Sequence, residues 1–264
     1  MPAKNGFLLT CDDIDFLRAV HSLRVATIDH LAALSWKQGQ TRSYTRTQKR
    51  TAKLAIHGYL EPLTKRPHKM LYALGREGVE VLVELGYVSE EFRGRRPREK
   101  ELKDLFLDHL MMVKGIQVML MTLVRGTPIR VERWSEGPEL YDFVTIHGEE
   151  TRIPIRPDAL FVLRDARRPE GKDTMAFVLE ADRSTENHER IRTKIKGYVS
   201  YADQNRAREK WRLLSKYFRV LIVTRTAARA ENLDAGLQPL IPAQLRSHYV
   251  FTTLEDQLGD VLLS

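Results

Sequence analysis

The stretch that decides the fold runs from Ile153 to Tyr201 and reads IPIRPDALFVLRDARRPEGKDTMAFVLEADRSTENHERIRTKIKGYVSY. Two apolar runs within it, Ala159 to Leu163 and Met175 to Ala181, have the length of buried strands. A polar turn rich in Arg, Pro and Gly separates them, and a charged helix follows from about Glu186. The pattern predicts a sheet with a helix that returns across it.

Carboxylates stand at the ends of both predicted strands. Asp158 precedes the first strand, and Glu180 and Asp182 come at the end of the second. Burying three carboxylates without partners is costly, and hard divalent cations take oxygen ligands. We therefore expect Asp158, Glu180 and Asp182 to be metal ligands, with Mg²⁺ or Mn²⁺ as the cofactor if the acid cluster is active.

Three short motifs carry a resemblance to a known family. They are RPDA at 156–159, LEADRST at 179–185, and Lys194 followed four residues later by Tyr198. Together with the preceding helices, this pattern resembles the replication-relaxation family of plasmids and mobile elements, from about Asp12 to Thr224. Pro157-Asp158 with Glu180-Ala181-Asp182 also resembles the PD-(D/E)XK nuclease core. The resemblance implies a winged helix followed by a nuclease-like domain, acting in replication, DNA relaxation or mobilisation.

The chain departs from the nuclease pattern at one position. That pattern has a lysine where this sequence has Asp182, and a lysine of the next helix would have to replace it. In such an enzyme the metal polarises the phosphate and activates water, while the lysine stabilises developing charge. Glu101 and Asp108 are further candidate acids on an earlier helix. The candidate catalytic residues are Asp158, Glu180, Asp182, Lys194 and Lys196.

A structural interpretation of the same acids stays open. Asp182 would pair with Arg183, and Ser184 and Thr185 would cap the next helix. On that interpretation the acids hold the end of the sheet, and the domain is an inactive platform. The geometry of the acids has to decide between the catalytic and the structural interpretation, because a fold does not determine a function.

The first half of the chain predicts a winged helix-turn-helix. Helices from about Asp12, Thr27 and Arg42 precede two short strands, 59–63 and 69–74, which flank a basic turn. Basic residues recur at three- and four-residue steps along the third helix and so share a face. Such a helix enters the major groove of DNA. The candidate DNA-binding residues are Arg42, Arg46, Lys49, Arg50, Lys53, Lys65 and Arg66.

These residues are expected to divide by role. Arg46 and Arg50 are the candidates for base edges, since arginine bonds guanine with two hydrogen bonds. The lysines and Arg66 are expected to contact phosphates, which position a protein on DNA without reading sequence. The alternative is a helix face that is merely solvated.

Composition supports an anionic partner. The chain of 264 residues has a net charge of +8 and a pI near 9.6. The first hundred residues hold 18 Lys and Arg against 11 acids, so nearly all the surplus lies there. Double-stranded DNA is therefore the expected partner, with a second copy of the chain and replication or mobilisation proteins as others. No membrane partner is expected.

A single cysteine, Cys11, excludes an internal disulfide and favours a reducing compartment. The apolar helix from Leu105 to Val124 contains charged residues and is expected to be a buried core helix. These features predict a bacterial cytoplasmic protein associated with the nucleoid or a plasmid. No Gly-rich phosphate loop is present, which argues against an ATPase or GTPase.

We thus expect an α/β (α+β) protein with three parts. Residues 1–88 form the winged helix-turn-helix domain, 89–100 a basic linker, and 101–264 a PD-(D/E)XK nuclease-like sandwich with a mixed sheet. The first functional hypothesis is a duplex-DNA-binding protein of a plasmid or mobile element with a divergent nuclease-like domain. The alternatives are a Mg²⁺-dependent endonuclease and a transcription regulator with a dimerisation domain.

Overall fold

A computed structural model describes residues 7–34, 43–65, 70–93, 104–146, 152–183 and 187–254. The chain forms two compact units, Met1–Thr122 and Leu123–Ser264.

The first unit contains five helices and a hairpin in the described residues. Ala26, which lies between the first two helices, adds a short antiparallel bridge to Tyr72 of the hairpin. Leu17, Leu31 and Leu54, one from each of the first three helices, are fully buried against one another in the core. The order of elements up to α4 is the one that the sequence predicted. The elements are α1 (Cys11–Leu23), α2 (Ile28–Leu34), α3 (Tyr44–Ile56), β1 (Leu60–Lys65), β2 (Met70–Leu74), α4 (Arg76–Glu84) and α5 (Asp104–Leu123).

Helix α5 packs in the first unit. Leu107 contacts the group formed by Val25, Leu63 and Leu71, and Val118 joins the core of the first three helices. From the sequence, this helix was expected at the start of the second domain, after a linker at 89–100, of which residues 94–100 lie outside the described residues. A charged, Pro-containing sequence does not determine on which side the next helix packs. The boundary between the compact units falls at Thr122 instead.

Among the described helices, α5 is the one that is long and apolar enough to cross a membrane, by length and composition only. Its segment Phe106–Leu123 has a mean hydropathy of 1.3. Lys114 and Gln117 of this helix are nevertheless buried within the protein. Gln117 also lies within hydrogen-bond distance of Ser22 on α1, with Nε2 and Oγ 3.5 Å apart. These polar contacts are those of a helix that packs against protein.

The second unit is built on a mixed five-stranded sheet in the order β3-β6-β7-β8-β9. Strands β3, β6 and β7 are antiparallel neighbours, whereas β7, β8 and β9 run parallel. This confirms the predicted α/β class with a mixed sheet. The elements are β3 (Ile129–Ser135), β4 (Asp142–Thr145), β5 (Arg152–Ile155), β6 (Ala159–Asp165), β7 (Thr174–Asp182), α6 (His188–Asp203), α7 (Arg206–Trp211), β8 (Arg219–Thr224), α8 (Ala227–Leu237) and β9 (Tyr249–Thr253).

Helix α6 crosses from β7 to the parallel strand β8 and covers the sheet. Its Tyr198 and Tyr201 are buried against Trp211 and Phe218, in an aromatic group that includes contacts of 4.6 to 6.5 Å between ring centroids. Helix α6 ends at Asp203, and Asn205 adopts a left-handed conformation before α7 begins. Strands β4 and β5 form a separate hairpin beside α6.

Candidate functional site

The register of the central strands brings Asp158 and the end of β7 together. Leu179 pairs with Ala159, so the residue before β6 lies beside the residues that follow Leu179. The Asp158 amide donates to the Leu179 carbonyl at 3.0 Å, and the Ala181 amide donates to Asp158 Oδ2 at 2.8 Å. The first carboxylate is thus tied to the strand that carries the other two.

Glu180 lies at the centre of a hydrogen-bonded cluster. Lys194 Nζ donates to Glu180 Oε2 at 2.8 Å, and the hydroxyl of Tyr198 donates to Oε1. The two donors are four residues apart on α6, which places them on the same face of the helix. We call Asp158, Glu180, Lys194 and Tyr198 the acid cluster. The helix supplies the lysine that the sequence lacks at position 182.

Burial sets the charge state of the acid cluster. It raises the pKa of Glu180 to about 7, against the lowering effect of Lys194 and with a further increase from the charge of Asp158. The pKa of Tyr198 is also well above its usual value, first because the hydroxyl is buried and then because Glu180 is adjacent. Glu180 can therefore hold a proton near neutral pH, and Tyr198 stays protonated.

Asp182 has a partner on α8 that the sequence did not predict. It lies two residues after Glu180 on the same face of β7, but Arg229 of α8 donates to its Oδ2 at 2.9 Å. The other end of that guanidinium lies 3.0 Å from Nε2 of His188, at the start of α6. Asp182 therefore pairs across the sheet with α8. The alternative cap by Ser184 and Thr185 lies outside the described residues, and the described cap of α6 is Asn187.

The space beside Glu180 is small. A cavity of about 10 Å³, roughly one water molecule or ion, is lined by Glu180, Asp182, Lys194 and apolar neighbours. Among the described residues, no three histidine, cysteine or acidic side chains are grouped to hold a metal ion. Mg²⁺ is usually bound through one or two carboxylates and keeps several waters, and Asp158 and Glu180 are the two carboxylates at hand. A cavity of this size does not hold a hydrated ion, so such an ion would require Lys194 to leave Glu180. A third ligand from Asp182 does not fit, because Arg229 neutralises it.

The remaining predicted acids and lysine lie elsewhere. Lys196 is exposed on α6, two residues from the face that meets Glu180, and Asp108 is exposed on α5. Glu101 lies outside the described residues. Sequence reasoning missed the roles of Tyr198 and Arg229. The spacing of Lys194 and Tyr198 was a usable signal for the tyrosine, whereas nothing in the local sequence connects Arg229 with Asp182.

A second candidate site lies on α3. Its inward positions, Thr47, Thr51 and Leu54, are buried, and the opposite face is open to solvent. That exposed face carries Arg46, Lys49 and Lys53, which we call the α3 basic face. Of the other predicted DNA-binding residues, Arg42 and Arg66 lie outside the described residues. The same is true of the Lys65 side chain.

Arg50 does not belong to that exposed face. Its guanidinium forms a two-bond ion pair with Asp13 of α1, with Nε 2.5 Å from Oδ1, and lies 4.6 Å from the Phe7 ring centre. Burial would raise the pKa of Asp13, but hydrogen bonds from Arg50 and Thr10 hold it below its usual value. The sequence analysis assigned Arg50 to base reading. In the structure it stabilises the contact of α3 with α1, because Asp13 is fully buried and needs a cation.

Comparisons with known proteins were consistent with the sequence motifs. The replication-relaxation family model matches residues 17–213. No curated protein matches the chain. A solved structure of the restriction endonuclease FokI aligns with 89% of this chain and 42% of that chain, at 13% identity and a TM-score of 0.26. This chain thus spans less than half of that protein, and so weak a likeness supports no conclusion. The family match covers most of the sequence, and the chain belongs to the replication-relaxation family, which suggests a role in plasmid replication or relaxation.

Proposed function

We propose that this protein binds the duplex DNA of a plasmid or other mobile element and acts in its replication, relaxation or mobilisation. The observation that carries the proposal is the α3 basic face. Three cations project from one side of a helix whose other side is anchored in the core. A helix presented in this way after two other helices, with a hairpin behind it, is the arrangement by which a winged helix-turn-helix enters the major groove.

The roles within the α3 basic face follow from side-chain chemistry. Arg46 is the candidate for a base edge, because a guanidinium matches the two acceptors of guanine. Lys49 and Lys53 are point charges suited to phosphates. Partners of the complex would be a second copy of the chain or other replication and mobilisation proteins, in the bacterial cytoplasm.

The experiment is a fluorescence-anisotropy titration of labelled duplex DNA with the full chain. The double variant Arg46→Ala/Lys53→Ala should bind about 2–4 kcal/mol more weakly. The matched control is Arg208→Ala/Lys210→Ala, which removes two exposed cations from α7. If both double variants lost the same DNA affinity, the effect would come from net charge and not from α3. No loss in the first would remove α3 as the DNA-binding element.

For the second unit we propose a divergent, non-cleaving nuclease-like domain. Each oxygen of Glu180 already accepts a hydrogen bond from α6, and Asp182 is neutralised by Arg229. These contacts favour a cluster that fastens α6 and α8 to the sheet. Glu180 is paired with Lys194 and Asp182 with Arg229, and these two ion pairs are sufficient for that structural role.

One observation favours a second candidate function, a Mg²⁺- or Mn²⁺-dependent endonuclease. Lys194 reaches Glu180 at 2.8 Å next to Asp158, which assembles two carboxylates and one lysine. In that case Asp158 and Glu180 would hold the metal, which would supply a polarised phosphate and an activated water. Lys194 would move from Glu180 to stabilise charge on the phosphate.

The two candidates differ in metal binding. Calorimetric titration with Mg²⁺ and Mn²⁺, together with a supercoiled-plasmid cleavage assay, separates them. Heat of binding and nicking that both disappear in Asp158→Asn and Glu180→Gln would establish the endonuclease. If the wild-type protein gives no heat of metal binding and leaves the plasmid intact, the acid cluster has the structural role.

A further inference from the structure

A cavity in the second unit lies at the other end of the strands that carry the acids. It has a volume of about 390 Å³ and is lined by residues of β3, β6 and β7 near the turn between the last two strands. The lining of the cavity there includes Arg164 and Thr174, which pair across that turn. Asp158 and Glu180 stand at the opposite strand ends. The cavity is therefore separate from the acid cluster.

Cations dominate the lining of this cavity. Four arginines and a histidine face it, and Glu132 is the one acid among its lining residues. Glu132 is already paired with Arg164, at 2.6 Å, and Arg164 also pairs with Asp173. These ion pairs engage Glu132 with Arg164, so the described lining residues offer no second carboxylate to Arg133 and Arg212. We call the lining group of Arg133, Arg164, Arg212, Arg219 and His248 the arginine pocket.

Two members of the arginine pocket lack an ion pair in the described part of the chain. Arg133 donates to neutral acceptors, the Trp211 carbonyl at 2.7 Å and Ser135 Oγ at 3.0 Å. The Arg212 side chain makes neither a hydrogen bond nor an ion pair there. Its backbone amide donates to the Ala207 carbonyl, and its backbone has a left-handed φ of 54°. Burial and the nearby charge of Arg212 both lower the pKa of Arg133. Two like charges held together in this way would be stabilised by an anion between them.

The cavity also has an apolar part and an aromatic rim. Leu213 and Phe218 are buried in its wall, while the ring of Tyr217 is 45% exposed at its edge. The Tyr217 ring lies 5.9 Å from that of His248, whose Nδ1 is buried without a hydrogen-bond partner. An exposed tyrosine beside a cationic pocket suits a ligand with a planar ring and a phosphate.

We propose that the arginine pocket binds a phosphate-bearing ligand of mononucleotide size, with the phosphate between Arg133 and Arg212 and the base against Tyr217. The cavity volume lies within the range of small-ligand sites. Two sources share this chemistry, namely a free nucleotide and the 5′-phosphorylated terminal nucleotide of a DNA strand. The proposal concerns the second unit alone and does not depend on duplex binding by α3.

The test is calorimetric titration of the full chain with dAMP, with inorganic phosphate, and with a short single-stranded oligonucleotide carrying a 5′-phosphate or a 5′-hydroxyl. The variant Arg212→Asn removes the unpaired charge, and asparagine tolerates a left-handed backbone. Its affinity for dAMP should fall roughly tenfold or more, as for the loss of a charged hydrogen bond. The control Arg208→Gln, which removes an exposed cation from α7 outside the pocket, should bind like the wild type.

A second variant tests the base. Tyr217→Ala should weaken dAMP and leave inorganic phosphate unchanged. Preference for the 5′-phosphorylated oligonucleotide over the 5′-hydroxyl form would identify a strand end as the source, and binding of dAMP without that preference would identify a free nucleotide. The proposal is overturned if the wild type binds neither dAMP nor the phosphorylated oligonucleotide at millimolar concentration. It is equally overturned if Arg212→Asn and Arg208→Gln bind dAMP alike.

Discussion

The α3 basic face and the acid cluster both concentrate charge, but they treat it in opposite ways. On α3, Arg46, Lys49 and Lys53 point into solvent. In the acid cluster, Glu180 is 5% exposed and each of its oxygens accepts a hydrogen bond from a side chain of α6. The first arrangement leaves its charge exposed to solvent, where the proposed DNA partner would meet it. The second uses its charge to hold the protein's own elements together.

Arg50 shows that the difference does not depend on the helix. It stands one turn after Arg46 on α3, yet it pairs with the buried Asp13. Exposed charges are screened by water and salt and contribute little to folding. A buried charge that loses its partner is costly. The comparison therefore predicts which substitutions change stability and which change binding.

The largest effect is expected for Arg50→Ala, which leaves the Asp13 carboxylate buried and unpaired. The free energy of unfolding should fall by about 3–5 kcal/mol. Urea denaturation measures it. Arg46→Ala, one turn earlier on the same helix, is the matched control and should stay within about 0.5 kcal/mol of the wild type. If the two variants had the same free energy of unfolding, the ion pair of Arg50 with Asp13 would not contribute to stability.

The next effect concerns the pH dependence of Glu180. Its pKa of about 7 in the folded protein exceeds the usual 4.5, so the folded state keeps a proton that the unfolded chain has lost. Stability from this group is therefore full below about pH 4.5 and falls as the pH rises to about 7, by on the order of 3 kcal/mol. Glu180→Gln should remove this slope.

Urea midpoints between pH 5 and 8 measure that slope. Glu189→Gln, which changes an exposed carboxylate at the start of α6, is the control and should follow the wild-type curve. If the urea midpoints of Glu180→Gln also follow the wild-type curve, the Glu180 carboxyl does not have the raised pKa that its burial implies.

A smaller effect is expected for Tyr198→Phe. The variant keeps the buried ring and removes one donor to Glu180, which should cost about 1–2 kcal/mol of unfolding free energy. Because that hydrogen bond lowers the pKa of Glu180, its loss should also move the pH-dependent decline upward. An unchanged decline would show that the hydroxyl does not contact the carboxylate in solution.

The smallest effect on stability is expected for Lys49→Ala. This variant should melt like the wild type, but its DNA affinity should depend less on salt. The slope of log affinity against log salt should become shallower by about 0.9 for one lost phosphate contact. Ala52→Lys, which adds a cation to the same exposed side of α3, should make the slope steeper. A slope that responds to neither change would place the phosphate contacts outside this helix.

Local pattern was enough to predict most of the elements. The apolar runs of β6 and β7 and the basic repeat of α3 lie where the sequence placed them. Each of these signals depends on residues close together in the chain. The arrangement of Asp158 beside Glu180 was also predictable, because two neighbouring strand ends of an antiparallel pair meet.

Partners that are distant in the chain could not be predicted in the same way. Arg50 and Asp13 are 37 residues apart, and Arg229 and Asp182 are 47 apart. Both arginines look like ordinary surface cations in the sequence. Only the packing of α3 on α1, and of α8 against β8 and β9, decides that each meets a buried carboxylate. The packing of α5 in the first unit depends on tertiary contacts for the same reason.

The crossover through α6 has a consequence for how the acid cluster assembles during folding. Asp158 and Glu180 meet when the β6–β7 hairpin closes, which is a short-range event. Lys194 and Tyr198 arrive only when α6 docks and β8 adds in parallel, a pairing that is slow because it needs a long connection. Until then, Glu180 lies beside Asp158 without the charge of Lys194. We expect refolding to be faster in mild acid, where that early hairpin carries less repulsion.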